Sequence, residues 1–146
     1  MHPDTRSAID ADLPILLEHA RRAAEHSYSP YSHFRVGAAL KLSNGEIVTG
    51  ANVENVSFGL TVCAERSALV CAISKFGPAI RIEAIAVANL NDTASPPCGA
   101  CRQMLSEFVS SDAVVSFPGD SGLELRPFRE LLPFIFHLDA RQPESS

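Results

Sequence analysis

The chain is 146 residues long, 46% hydrophobic and 20% charged, the size and balance of one globular domain with its own core. Its 12 Lys and Arg against 17 Asp and Glu leave a net charge of -5, and no basic run exceeds Arg21-Arg22, which argues against gripping a nucleic-acid backbone as the main task. No apolar run reaches the roughly 18 residues of a membrane span, and the opening MHPDTRSAIDADLP carries no apolar signal-like segment, so a soluble, cytoplasmic protein with no membrane association is expected.

From about Ala11 to Ser27, Leu13, Leu16, Leu17, Ala20 and Ala24 recur at helical spacing with Glu18, Arg21, Arg22 and Glu25 between them, predicting an amphipathic helix stopped by SYSPYS. Phe34 to Leu42 and Ile47 to Asn52 read as strands, and the Asn44-Gly45 pair between them predicts an antiparallel hairpin. A helix from about Cys63 to Lys75 is ended by Phe76-Gly77-Pro78. It is followed by IEAIAVAN, 82 to 89, apolar enough for a strand buried on both faces. The loop NDTASPP leads to a third helix from Cys98 or Gly99 to about Phe108. Ala113 to Phe117 and Leu123 to Arg126 then read as strands joined by PGDSG, too short for a parallel crossover and therefore an antiparallel hairpin. The expected architecture is a single α/β domain, residues 1–139, with helices on the faces of one five-stranded mixed sheet, and a disordered tail at 140–146.

Four cysteines in a chain expected in a reducing compartment favour metal binding or catalysis over disulfides. The helix opening at Cys63 runs away from its start and the strand at 82 to 89 returns the chain, so the next helix, opening at Cys98, can begin beside the first. Cys98 and Cys101, three apart, share one helix face, and the three thiols converge. Three thiolates without a fourth protein ligand are the donor set of a catalytic zinc site, whereas a structural site is closed by four. Cys71 lies about 12 Å further along the helix than Cys63 and is expected to be a small buried residue among Leu69, Val70 and Ala72. Helix N-termini favour thiolate over thiol, and Arg66 stands where it can offset the third thiolate's charge; by itself it reads equally well as a surface cation. Glu65 alone is an ordinary first-turn glutamate. Beside a metal ligand, with PPCGAC returning two more thiols, it becomes a candidate proton shuttle. None of the five histidines falls in these motifs, although His33 adjoins Phe34.

The blocks SPYSHFRVGAAL, GANVENVSFGLTVCAERSAL, PPCGACRQMLSEF and the terminal LLPFIF resemble the small three-cysteine cytidine deaminases over nearly the whole chain. The resemblance implies a three-layer α-β-α fold, one zinc ion per chain, a homotetramer whose neighbouring subunits complete each active site, and a small pyrimidine nucleoside as substrate. It implies Cys63, Cys98 and Cys101 as zinc ligands, Glu65 as acid/base, and Arg66 and Gln103 as supports for the ligands. It further implies Phe34, Asn52, Glu54, Ala64 and Phe136 at the substrate, Phe136 reaching a neighbour's base. An amide with a carboxylate suits a sugar hydroxyl, which both gives and takes hydrogen bonds. The implied reaction is hydrolysis of cytidine and 2′-deoxycytidine to the uridine products and ammonia, in pyrimidine salvage.

Two departures stand out: Phe58 occupies a position where the family usually has tyrosine, and PFIFHLD is bulkier than the small residues common after LLP. A structural zinc module would tolerate loss of Glu65, and a thioredoxin-like redox protein using Cys98-Gly99-Ala100-Cys101 would leave Cys63-Ala64-Glu65 unexplained. The nearer alternative is deamination of another aminopyrimidine, such as an N4-substituted cytidine or a blasticidin-like compound.

Overall fold

A computed structural model describes residues 3–138; the expected tail at 140–146 and both ends of the expected 1–139 domain lie outside the described residues. The chain runs α1 (Pro3–Ala24), β1 (Val36–Leu42), β2 (Ile47–Ala51), a single 3-10 turn at Phe58–Leu60, α2 (Ala64–Phe76), β3 (Ile82–Asn89), α3 (Gly99–Ser106), β4 (Val109–Gly119), β5 (Gly122–Pro127) and α4 (Phe128–Leu131). The sheet order is β2-β1-β3-β4-β5. Only β3 and β4 are parallel, with Ile85 opposite Val115, and α3 forms the crossover between them.

Both expected hairpins form. In the first, Ala39 faces Thr49, Gly45 takes φ 92° and the Asn44 side chain accepts the Glu46 amide at 2.9 Å, the local chemistry of a tight Asn-Gly turn. Alternate residues of the central strands feed two cores, as the two-residue period of a strand requires. Leu16 and Ala20 of α1 pack on Ala39, Ala84, Ala86 and Val114. On the opposite face, Ala38, Leu40, Ile85 and Val115 pack with Ala68 and Leu69 of α2 and Cys101 and Leu105 of α3. The expected three layers and the doubly buried β3 are therefore present.

Two glycines let helices lie directly on the sheet. A Cβ at Gly37 would collide with the α1 backbone at Ala20 and Ala24. One at Gly50 would meet the Ala68 amide, the Ala64 carbonyl oxygen at 2.7 Å and Ala68 Cα at 2.9 Å, so the first turn of α2 rests on bare β2 backbone.

Several boundaries differ from expectation. Helix α1 begins at Pro3 and carries Pro14 inside it. Strand β4 extends back to Val109, which pairs with Ile82, and Ser110 to Ala113 form an irregularity before pairing resumes at Ala84 opposite Val114. The short α4 had no periodic signal. Cys71 is exposed rather than buried. Its helix buries Ala64, Glu65, Ala68, Leu69 and Ala72 on the sheet, which turns Val70 and Cys71 outward onto a face left uncovered among the described residues.

Candidate active site

The N-cap residue of both α2 and α3 is a cysteine. Cys63 has extended backbone angles (φ -70°, ψ 157°) ahead of α2, and Cys98 does the same ahead of α3 (φ -68°, ψ 165°), where its sulfur accepts the Cys101 amide at 3.4 Å. Because Gly50 seats α2 and the β3 crossover seats α3, the two caps meet. Cys63 Sγ lies 3.7 Å from Cys98 Sγ, Cys98 Sγ lies 3.3 Å from Cys101 Sγ, and all three sulfurs fall within 4.8 Å of one another. Tetrahedral zinc with bonds of about 2.3 Å needs sulfurs roughly 3.8 Å apart, so the donor set and its spacing fit one zinc ion. Among the described residues this is the only such grouping of candidate ligands, and Cys71 is no part of it.

The protonation pattern has the same logic. Hydrogen bonding from Cys101 and the neighbouring Arg66 guanidinium draw the Cys63 thiol down to about 5, against the opposing effect of burial. Cys101, the donor to Cys63 and itself buried near Glu65, is pushed strongly up. A bound dication favours the thiolate form of every cysteine that ligates it, because only the deprotonated sulfur is a ligand. Arg66 Nη2 stands 3.7 Å from Cys63 Sγ and 3.2 Å from the Thr61 carbonyl oxygen, while its Nε is buried with no partner among the described residues. Glu65 is 4% exposed, and burial pushes its carboxyl above the usual range.

Cys63, Ala64, Glu65 and Cys98 share a cavity of about 260 Å³ with Phe34, Asn52 and Glu54. A larger cleft of about 740 Å³, between α1 and the ends of β3 and β4, contains none of the thiols. The smaller cavity is the candidate site because it joins potential metal ligands to a buried carboxylate. Ser32, Thr61, Ser95 and Pro96 also line it and were missed; only Pro96, two residues before Cys98, carried a positional hint.

Asn52 and Glu54 are already bonded within the chain. Asn52 Nδ2 donates to the Phe34 carbonyl at 2.8 Å, and its Oδ1 accepts the Val36 amide at 2.9 Å and the Ser27 hydroxyl. Glu54 accepts the amides of Tyr31 and Ser32 at 3.1 and 3.2 Å, and the Ser32 hydroxyl; that last bond leads in holding its carboxyl below the usual range. Gln103 Nε2 donates to the Phe136 carbonyl at 3.1 Å. Arg102 ties the same C-terminal segment down through the Leu131 carbonyl at 2.9 Å. Phe136 is 69% exposed and is not among the residues lining the cavity.

A three-thiol centre at paired helix caps, beside a buried carboxylate on a helix-covered mixed sheet, defines a metal-dependent hydrolytic enzyme of the zinc-deaminase class. Residues 12–117 match the model of the cytidine and deoxycytidylate deaminase zinc-binding region, and the chain belongs to that family. It is 44% identical over 132 residues to a cytidine deaminase of Mycobacterium tuberculosis, covering 89% of this chain and 93% of that one. It is 43% identical over 128 residues to a cytidine deaminase of Halalkalibacterium halodurans, covering 86% and 94%. The crystal structure of the Mycobacterium tuberculosis cytidine deaminase aligns with a TM-score of 0.76 at 39% identity, covering 87% of this chain and 98% of that chain. That of Burkholderia pseudomallei also aligns at 0.76 and 39%, covering 84% and 98%.

Proposed function

We propose that this protein is a zinc-dependent cytidine deaminase of pyrimidine salvage, converting cytidine and 2′-deoxycytidine to uridine and 2′-deoxyuridine with release of ammonia. One observation carries the reading: three thiols lie at metal-ligand spacing and two of them, Cys63 and Cys98, share a cavity with a buried glutamate, in a chain about two-fifths identical to cytidine deaminases over most of their length.

Cys63, Cys98 and Cys101 would hold one zinc ion per chain, with the Arg66 guanidinium offsetting the negative charge of the third thiolate. Bound zinc is a Lewis acid that lowers the pKa of water from about 15.7 towards 7. Glu65 takes a proton from the attacking water and passes it to ring N3, which makes C4 electrophilic. After the oxygen has added to C4, Glu65 delivers a second proton to the amine, and ammonia leaves as the C4–N bond breaks. Burial suits the carboxyl to this work, since a shuttle is most effective when its pKa lies near the operating pH.

Phe34 and Ala64 line the cavity beside the pyrimidine. Asn52 retains one Nδ2 hydrogen after serving the Phe34 carbonyl. Glu54, with three of its roughly four lone-pair sites used, retains one acceptor, so together they can give and take one hydrogen bond each at the ribose hydroxyls.

The protein is read as a cytoplasmic homotetramer. Val53 is 48% exposed, Val56 76%, Phe58 80%, Leu60 67% and Val70 56%, an apolar strip around the start of α2 that a lone subunit would leave in water. Phe134 and Phe136 project from the C-terminal segment and can cover a neighbour, with Phe136 meeting its base. Gln103 supports the zinc centre indirectly, by holding that segment to α3.

The deciding experiment is the ultraviolet absorbance of purified, zinc-loaded protein with cytidine, deoxycytidine, free cytosine and an N4-substituted cytidine. Turnover of the two nucleosides is expected. Activity on the N4-substituted compound alone would shift the reading to another aminopyrimidine, and no turnover of any would refute it.

A further inference from the structure

We propose that Asn91 is a positioning residue, whose carboxamide ties the cavity wall carrying Phe34 to the loop leading to Cys98 and so fixes where the nucleoside binds; this rests on the deaminase reading. Residues 33 to 36 enter β1 across one side of the cavity, and Phe34 faces it. Two asparagines hold this stretch by its backbone, one on each edge. Asn52 takes the Phe34 carbonyl and the Val36 amide. Asn91 takes the residues between: its Nδ2 donates to the His33 carbonyl and its Oδ1 accepts the Arg35 amide, both at 2.9 Å, while the Leu90 amide donates to the Arg35 carbonyl at 3.0 Å. Each carboxamide thus pairs like a peptide group of an adjacent strand.

The segment needs such holding. His33, immediately before Phe34, sits at φ 60°, the left-handed region that side chains with a Cβ rarely occupy, kept there by its amide bond to the Ser29 carbonyl at 2.9 Å and by Asn91 on its carbonyl. A relaxed His33 would redirect Phe34. The other end of the tether is a loop that organises itself independently of the Asn91 side chain. Asn89 Oδ1 accepts the Asn91 amide at 3.0 Å, and Asn89 Nδ2 donates to the Thr93 carbonyl at 2.7 Å and the Ser95 hydroxyl at 2.9 Å. Ser95, Pro96 and Cys98 then line the same cavity as Phe34. Asn91 is exposed and does not line the cavity, so it acts on substrate only through the two walls it joins.

The test compares full-length parent, Asn91→Ala and Asn91→Asp for zinc content, cytidine kinetics and backbone amide exchange. Loss of two hydrogen bonds is expected to raise KM roughly tenfold in Asn91→Ala. Zinc content and kcat should stay near the parent's, because the thiols and Glu65 stand on α2 and α3. Asn91→Asp keeps an oxygen for the Arg35 amide but sets another against the His33 carbonyl, so it should not restore the parent KM. Amides 33 to 36 should exchange faster in both variants, with α2 unaltered. A parent-like KM in either variant, or a loss of kcat that tracks lost zinc, would overturn the tether. Unchanged exchange at 33 to 36 would overturn it even if the parent failed to turn over cytidine, an outcome that separately defeats the deaminase reading.

Discussion

Replacing Gly50 with alanine adds one methyl group where α2 rests on β2. The Ala64 carbonyl oxygen, 2.7 Å from that carbon, must retreat by at least 0.7 Å to reach ordinary contact at 3.4 Å, and the Ala68 amide, closer still, must move further. Both atoms are backbone, so no side chain can swing aside; the first turn of α2 moves as a unit. Overpacking of this kind costs about 1–3 kcal/mol, which in a domain of this size lowers Tm by roughly 3–9 °C. The larger effect is local. Ala64 lies between Cys63 and Glu65, so a displacement near 1 Å carries both away from Cys98 and from the substrate, and misplacement by that distance costs about 100-fold in rate. Thermal melting, zinc analysis and steady-state deamination of cytidine on Gly50→Ala measure the three quantities. Folded protein with kcat within about threefold of the parent would refute the argument, because it would mean that the α2 register tolerates what the contact distances forbid.

Glu65→Ala should fold and retain zinc while losing at least about 1000-fold in kcat, as removal of a general acid and base does; zinc analysis alongside kinetics separates this from metal loss. Cys98→Ala should instead lose zinc and melt at lower temperature, and treating the parent with a chelator should reproduce both effects, reversed by added Zn²⁺. Glu54 sits below its ordinary pKa of 4.5 because the Ser32 hydroxyl and two amides favour the carboxylate. The order that it gives the Tyr31–Ser32 loop is therefore present above pH 4.5 and lost as pH falls through its lower folded value. KM for cytidine should accordingly be insensitive to this group from pH 5 to 8 and rise only in more acidic solution, a limb that Glu54→Gln should abolish. Val70→Asp, on the exposed face of α2, should yield a smaller species by light scattering and proportionately less activity.

The elements were legible wherever one local signal dominated: Asn44-Gly45 for the first hairpin, the apolar run 82 to 89 for β3, and Phe76-Gly77-Pro78 for the end of α2. Tertiary causes stayed invisible. Nothing in SSDA says that it will form an irregularity between two stretches of β4 paired with β3, at Val109 and from Val114 onward. The apolar neighbours Leu69, Val70 and Ala72 suggested a buried Cys71, but they could not reveal which sides of α2 the sheet covers, so Cys71 was misjudged. Asn52 read as a polar strand end with a role at the sugar, while its main bonds go to Phe34 and Val36. Asn91 is separated from Arg35 by 56 residues, and no motif links them.

Cysteine at the head of α2 and α3 has one more consequence. A typical helix is capped by serine, threonine or aspartate, which holds the first turn with nothing added. Here Cys63 makes no side-chain cap bond at all, and only Cys98 supplies one, through a weakly accepting sulfur. An ion held by the three thiols would join the first turns of both helices and supply the restraint that these caps give only in part. Removing that ion is then expected to loosen the turn on which Glu65 stands, so that metal loading and the placement of the proton shuttle are one event rather than two.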